Sequence, residues 1–105
     1  MKKYEMIPSD IPGLFRVKAL RSFLDVTKGE IGGYISNESN LAHEGTAWVY
    51  GKAQVFGEAQ VYGKAQVRGE AQVYGEAQVY GEAQVYGDAR VFGEARVYGE
   101  AQVCG

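Results

Sequence analysis

Imidazole and thiol each occur once among the 105 residues, as His43 and Cys104. A histidine acts as the general base of an acyl transfer when a neighbour orients it and a cleft holds the substrate. His43 sits in N-L-A-H-E-G with no partner set by spacing, so it is expected to be a hydrogen-bonded residue of a cap or first turn. One imidazole per chain does not supply a zinc site, even when tripled by assembly. Cys104 allows no disulfide within the chain and fits a reducing compartment, while leaving a bridge to a second chain open. No catalytic, cofactor-binding or metal-binding residue is assigned, and no cofactor is expected.

The chemistry that recurs is that of contact. Phe56, Tyr74 and Phe92 recur at one constant spacing, as do Tyr62, Tyr80 and Tyr98, whereas a third series reads Tyr50, Arg68, Tyr86, Cys104. Carboxylates repeat in the same way at Glu58, Glu76 and Glu94, and Glu82 and Glu100 follow Lys64. Contiguous aromatic stripes either support one another by stacking or mark an interface. Phe gives up the hydroxyl that an exposed ring would keep in water, so the Phe56, Tyr74, Phe92 side is the expected contact side.

These series need a scaffold that returns to the same face at that spacing. From Gly45 the chain reads G-x-A-x-V-x ten times without insertion, from GTAWVY to GEAQVC, and the aromatic series recur at every third hexad. Ala and Val alternate with Gln and Tyr, the period of a strand and not of a helix. Glycine accepts the positive φ of a tight corner, and the charged residue beside it belongs on solvent. Such short strands bury no face alone. Wound three hexads to a coil, each coil covers the one below, with coils about 4.8 Å apart and like side chains in columns. The inward columns are Val49, Val67, Val85, Val103, then Val55, Val73, Val91, then Val61, Val79, Val97. Each buried Val is worth roughly 1.5–3 kcal/mol, and the neighbouring Ala leaves a narrow, filled interior with no ligand cavity.

The run V-Y-G-E-A-Q resembles the hexapeptide repeat of left-handed parallel β-helix proteins, over 60 of the 105 residues. The resemblance implies an all-β fold, a left-handed triangular solenoid with a small N-terminal β cap. The left hand is implied by that likeness alone, since crossovers in general are right-handed. The order R-V-K-A-L-R-x-F, G-E-I-G-G-Y, N-L-x-H-E-G and W-V-Y-G is also similar to a family of uncharacterised bacterial and phage proteins, often labelled transferases by repeat similarity.

Two regions follow: residues 1–44, a cap with an imperfect first coil, and residues 45–105, the regular solenoid. The first region holds both prolines and the only histidine. G-L-F-R-V-K-A-L-R-S-F reads as a strand, and the turn at Lys28-Gly29 leads into a second apolar run, which predicts a hairpin over the first coil. Ile31, Gly33, Ile35, Leu41 and Ala47 keep the register of the hexads, which puts Asn37 and His43 at Val positions and a loop around S-N-E-S-N-L-A-H-E-G.

Eleven basic against thirteen acidic residues give a net charge of -2, too weak to indicate nucleic-acid binding. No apolar run approaches the roughly 20 residues of a spanning helix, and Met1-Lys2-Lys3 leads into no signal-peptide core, so a cytoplasmic location is expected. Acyltransferases with hexapeptide repeats, as that resemblance implies, bind acyl-CoA or acyl-carrier substrates between subunits, using a His base and loops that interrupt the coils. Here no hexad after Gly45 is interrupted. A third reading, an acidic nucleic-acid mimic that blocks a host DNA-binding enzyme, is weighed down by five bases against seven acids in residues 45–105. The sequence is read as a non-enzymatic structural or protein-binding solenoid that self-associates, with an acyltransferase as the alternative. Its expected contacts are the two aromatic series and the last coil. There Arg90 and Arg96 replace Gln and are expected to meet carboxylates of a second copy, such as Glu94 or Glu100, with Cys104 close to its symmetry mate.

Overall fold

Gly75 shows why the chain turns where it does. Its φ is +71°, and a Cβ placed on it would lie 2.8 Å from the Gly93 nitrogen one coil above. Only glycine fits a corner that is both left-handed and stacked on the next corner. The computed structural model describes residues 2–105 and shows this corner at every hexad boundary of the regular region up to Gly99.

Between the corners run short strands, and all pair in parallel. They are β4 (Trp48–Val49), β5 (Gln54–Val55), β6 (Gln60–Val61), β7 (Gln66–Val67), β8 (Gln72–Val73), β9 (Gln78–Val79), β10 (Gln84–Tyr86), β11 (Arg90–Val91), β12 (Arg96–Val97) and β13 (Gln102–Cys104). One face stacks β4-β7-β10-β13 and a second β6-β9-β12; on the third, β5-β8-β11 continue a sheet begun by the cap. Val55 pairs with Val73 and Val73 with Val91, so each coil takes three hexads, as expected. Between coils the Gln54 N–H donates to the Ala71 carbonyl at 2.9 Å, and Gln72 to Ala89 likewise.

The inward Val and Ala columns form the core. Val49, Val55, Val67, Val73 and Val85 are wholly buried, as are Ala53, Ala65, Ala71 and Ala83. Burial fades in the coil of residues 88–105, where Ala95 and Ala101 are exposed and Val103 is half-buried.

The cap is a three-stranded antiparallel sheet made of β1 (Tyr4–Pro8), β2 (Phe15–Ala19) and β3 (Ile31–Ile35). The β2–β3 hairpin agrees with the sequence reading; β1, which pairs Tyr4 with Ala19 and Met6 with Val17, is an addition to it. β3 then joins the solenoid in parallel with β5.

The register of the first coil differs from expectation. Ile35 pairs with Val55 and Leu41 with Val61, so each step from the first coil is longer by two positions than the three hexads of the coils above. Ile35 and Leu41 therefore fill the Val columns, both fully buried, and Asn37 and His43 lie outside those columns. The two added positions are taken up between Leu41 and Val49, eight apart where the coils above use six.

Candidate interaction surface

The outward aromatic side chains stand where the Val columns place them, directly after each Val. Phe56 and Tyr74 stack with centroids 5.0 Å apart and planes 3° from parallel; Tyr74 and Phe92 follow at 5.4 Å and 11°. On the next face Tyr62 and Tyr80 stack at 4.9 Å and 4°, and Tyr80 and Tyr98 at 5.4 Å and 11°. The spacing is that of coils, slightly more than ring contact, which offset stacking accommodates. Inner rungs are half-buried by their neighbours. The outermost, Phe92 and Tyr98, are 57% and 58% exposed.

The third face behaves differently. Arg68 continues the stack as a planar cation, its guanidinium carbon 4.4 Å from the Tyr50 ring centre, and it donates to Gln66 Oε1 at 2.9 and 2.6 Å. Tyr50 donates its hydroxyl to Asp25 of the cap at 2.8 Å, and Asp25 lies 3.9 Å from Arg68. Burial first, then the bond to Asp25, raises the pKa of Tyr50 above the ordinary phenol value. Side chains of this face are bonded to the cap through Asp25, whereas the Phe56, Tyr74, Phe92 face joins the cap only through the backbone pairing of β3 with β5.

Arg90 and Arg96 are exposed beside the ladders, each just ahead of an outermost ring, and make no ion pair among the described residues. Arg96 ends a polar groove of about 740 Å³ walled by Glu58, Glu76 and Glu94, and Arg90 ends one of about 500 Å³ that also holds Glu70 and Asp88. Cys104 is a free, exposed thiol opposite Tyr86. Lys64 and Glu82 approach to 3.9 Å, an exposed pair worth little.

His43 does have a partner, which sequence spacing does not suggest. Its Nε2 meets the Glu38 carboxylate, its Nδ1 accepts the Lys3 N–H at 3.1 Å, and its ring stacks on Tyr4 at 4.1 Å. The bond from His43, with Lys2 alongside at 3.4 Å, holds the Glu38 carboxyl below the usual carboxylate range. Both imidazole nitrogens are engaged, so the ring clasps β1 to the first coil. Among the described residues no group of three or more His, Cys, Asp or Glu side chains is placed to hold a metal ion.

Two buried polar residues carry more of the structure than their sequence positions suggest. Asn40, at the end of a 3-10 turn (Glu38–Asn40), accepts from the Ser36 and Asn37 N–H groups and donates to the Gly57 and Ala59 carbonyls. The signal is present as N-x-x-N, a capping pattern. Lys3 is fully buried, donates to the Ala47 carbonyl and lies 5.3 Å from the Phe23 ring centre. Trp48, at an outward Gln position, is wholly buried because Phe23 and Tyr4 pack edge-on against it.

Three stacked parallel faces, glycine corners and filled Val columns define a β-solenoid repeat protein. A family model described as YdcK Beta solenoid repeat matches residues 83–99, so this stretch is similar to repeats of that kind. No curated protein matches the chain. Among the described residues no helix is long and apolar enough to cross a membrane.

Proposed function

We propose that this solenoid is a non-enzymatic structural or protein-binding module that self-associates through its aromatic side faces. The observation that carries the reading is the pair of unbroken ring ladders ending in two largely exposed rings, Phe92 and Tyr98. Each ladder has an arginine beside it, and aromatic rings with Arg are the side chains that dominate interface energetics. The Phe56, Tyr74, Phe92 face leads, because two of its three rungs carry no hydroxyl to satisfy in water. The occupied nitrogens of His43 support a clasp and not a general base. The left hand and the phage-like origin implied by resemblance belong to this same reading.

Light scattering tests it. Phe56→Lys with Phe92→Lys is expected to keep the β circular-dichroism signal and lower the oligomer mass. Unchanged mass would remove this face from the assembly. Cys104 lies on the β4-β7-β10-β13 face, away from both ladders, so mild oxidation separates contact along the ladders from contact between the last coils, in which the thiols meet. A disulfide-linked dimer lost in Cys104→Ser would instead place the coils of residues 88–105 together.

A further inference from the structure

The ladder Tyr98–Tyr80–Tyr62 stops at Tyr62 for a reason visible in the register. Leu41 pairs with Val61, so the residue beneath Tyr62 is Ala42. The Ala42 N–H donates to the Val61 carbonyl at 3.0 Å, the bond that Tyr62 makes to Val79 one coil above, also at 3.0 Å. Ala42 is thus the next rung of the ladder with no ring on it. A cavity of about 380 Å³ opens there, lined by Leu41, Ala42, Val61 and Tyr62, with Glu38 and Gln60 among its polar residues. The volume falls within the roughly 300–1,000 Å³ of small-molecule sites.

We propose that this cavity binds a planar nitrogen heteroaromatic ring, which stacks beneath Tyr62 and takes the place of the missing rung. The ladder sets the geometry, since successive rings lie 4.9 and 5.4 Å apart and nearly parallel, and a flat ring seated above the Ala42 methyl continues that series. Leu41 and Val61 turn their side chains into the core and line the cavity with backbone, so the apolar contacts come from the Ala42 methyl and the Tyr62 ring. The edge chemistry selects a ring with an N–H or amino donor. Among the described residues the Glu38 carboxylate meets His43 and Lys2 through Oε2, which leaves Oε1 to accept, and the Gln60 amide accepts or donates. A free base or nucleoside suits the site better than a polynucleotide, because the Glu58, Glu76, Glu94 wall on the same face repels phosphates.

The test is a titration of the isotope-labelled chain with adenine, followed by amide NMR. Saturable shifts confined to residues 38–43 and 60–62 are expected. Ala42→Tyr supplies the rung from within and should weaken binding by about tenfold or more, the worth of a base–aromatic stack, while the remaining spectrum stays folded. Tyr62→Leu, which keeps the apolar volume and removes the stacking face, should weaken it similarly. Phenol, a ring without the nitrogen donors, should bind more weakly than adenine. Non-saturating or scattered shifts, or equal binding by both variants, would overturn the proposal. Tighter, salt-dependent binding of oligo(dA) than of adenine would overturn its small-molecule form.

Discussion

Asn40 donates its amide Nδ2 to the Ala59 carbonyl at 2.8 Å, across the seam between the irregular first coil and the regular solenoid. The same side chain accepts from Ser36 and Asn37 on its other side, so a single wholly buried residue satisfies backbone groups of two coils. Asn40→Ala leaves those groups without partners, at about 1–3 kcal/mol for each one that water cannot reach. A loss of roughly 2–4 kcal/mol in urea denaturation is expected on that basis, with Asn37→Ala, whose carboxamide caps only the exposed turn, costing about 1 kcal/mol. Equal effects from the two would show that Asn40 does not hold the seam.

The pH dependence of stability follows from Lys3. Burial, with Arg21 nearby, lowers its pKa from 10.5 to about 8. Between those values the unfolded chain binds the proton that the folded chain has released, so stability rises with pH across that window. Above pH 10 the trend reverses. Burial raises Tyr4, and burial with the Asp25 bond raises Tyr50, so unfolding then releases phenol protons that the fold retains. Melting temperature should climb from about pH 8 to a maximum between pH 9 and 10 and fall beyond it, by the same linkage. Lys3→Met should flatten the rising limb and leave the falling one.

The corner at Gly75 combines a φ of +71° with the 2.8 Å approach of a Cβ to the Gly93 nitrogen. Gly75→Ala should cost about 2–3 kcal/mol, the left-handed penalty of roughly 1–2 kcal/mol plus displacement of the corner above. Gly51→Ala, whose Cβ meets nothing within 4 Å, should cost only the left-handed penalty. Thermal denaturation of the pair separates conformational strain from stacking.

The inner rungs stabilise the coils that carry them. Tyr80 stacks on both Tyr62 and Tyr98, and Tyr80→Ala should cost about 1–3 kcal/mol from two aromatic pairs. Tyr98→Ala removes one pair and should cost about half as much.

Much of the regular region is legible because the period of six carries its own proof. Val in the same place of every hexad, Ala two before it and glycine two before Ala point to coils of three hexads, and the pairs Val55–Val73–Val91 follow from that. The first coil is misread from sequence because Ile35 and Leu41 are themselves six apart. Spacing alone does not tell an Ala column from a Val column, and the two added positions lie after both. β1 escapes notice because its partner is the next strand of the cap and its burial depends on Trp48, whose outward position suggests exposure. The ladders are readable as series. The Glu38–His43 clasp is not, since a spacing of five marks no helix or strand neighbour and the contact exists only once the 3-10 turn folds.

Copies of the chain are proposed to meet along the aromatic ladders, and photo-crosslinking at Phe92, the most exposed rung of the leading face, tests this most directly. With Phe92→p-benzoylphenylalanine, irradiation should yield a covalent dimer whose crosslinks map by mass spectrometry to ladder residues or their neighbouring arginines, namely Phe56, Tyr74, Arg90, Tyr62, Tyr80 or Arg96 of the second copy. A chain that stays monomeric under irradiation while light scattering shows an oligomer, or crosslinks that fall within the cap, would contradict the account.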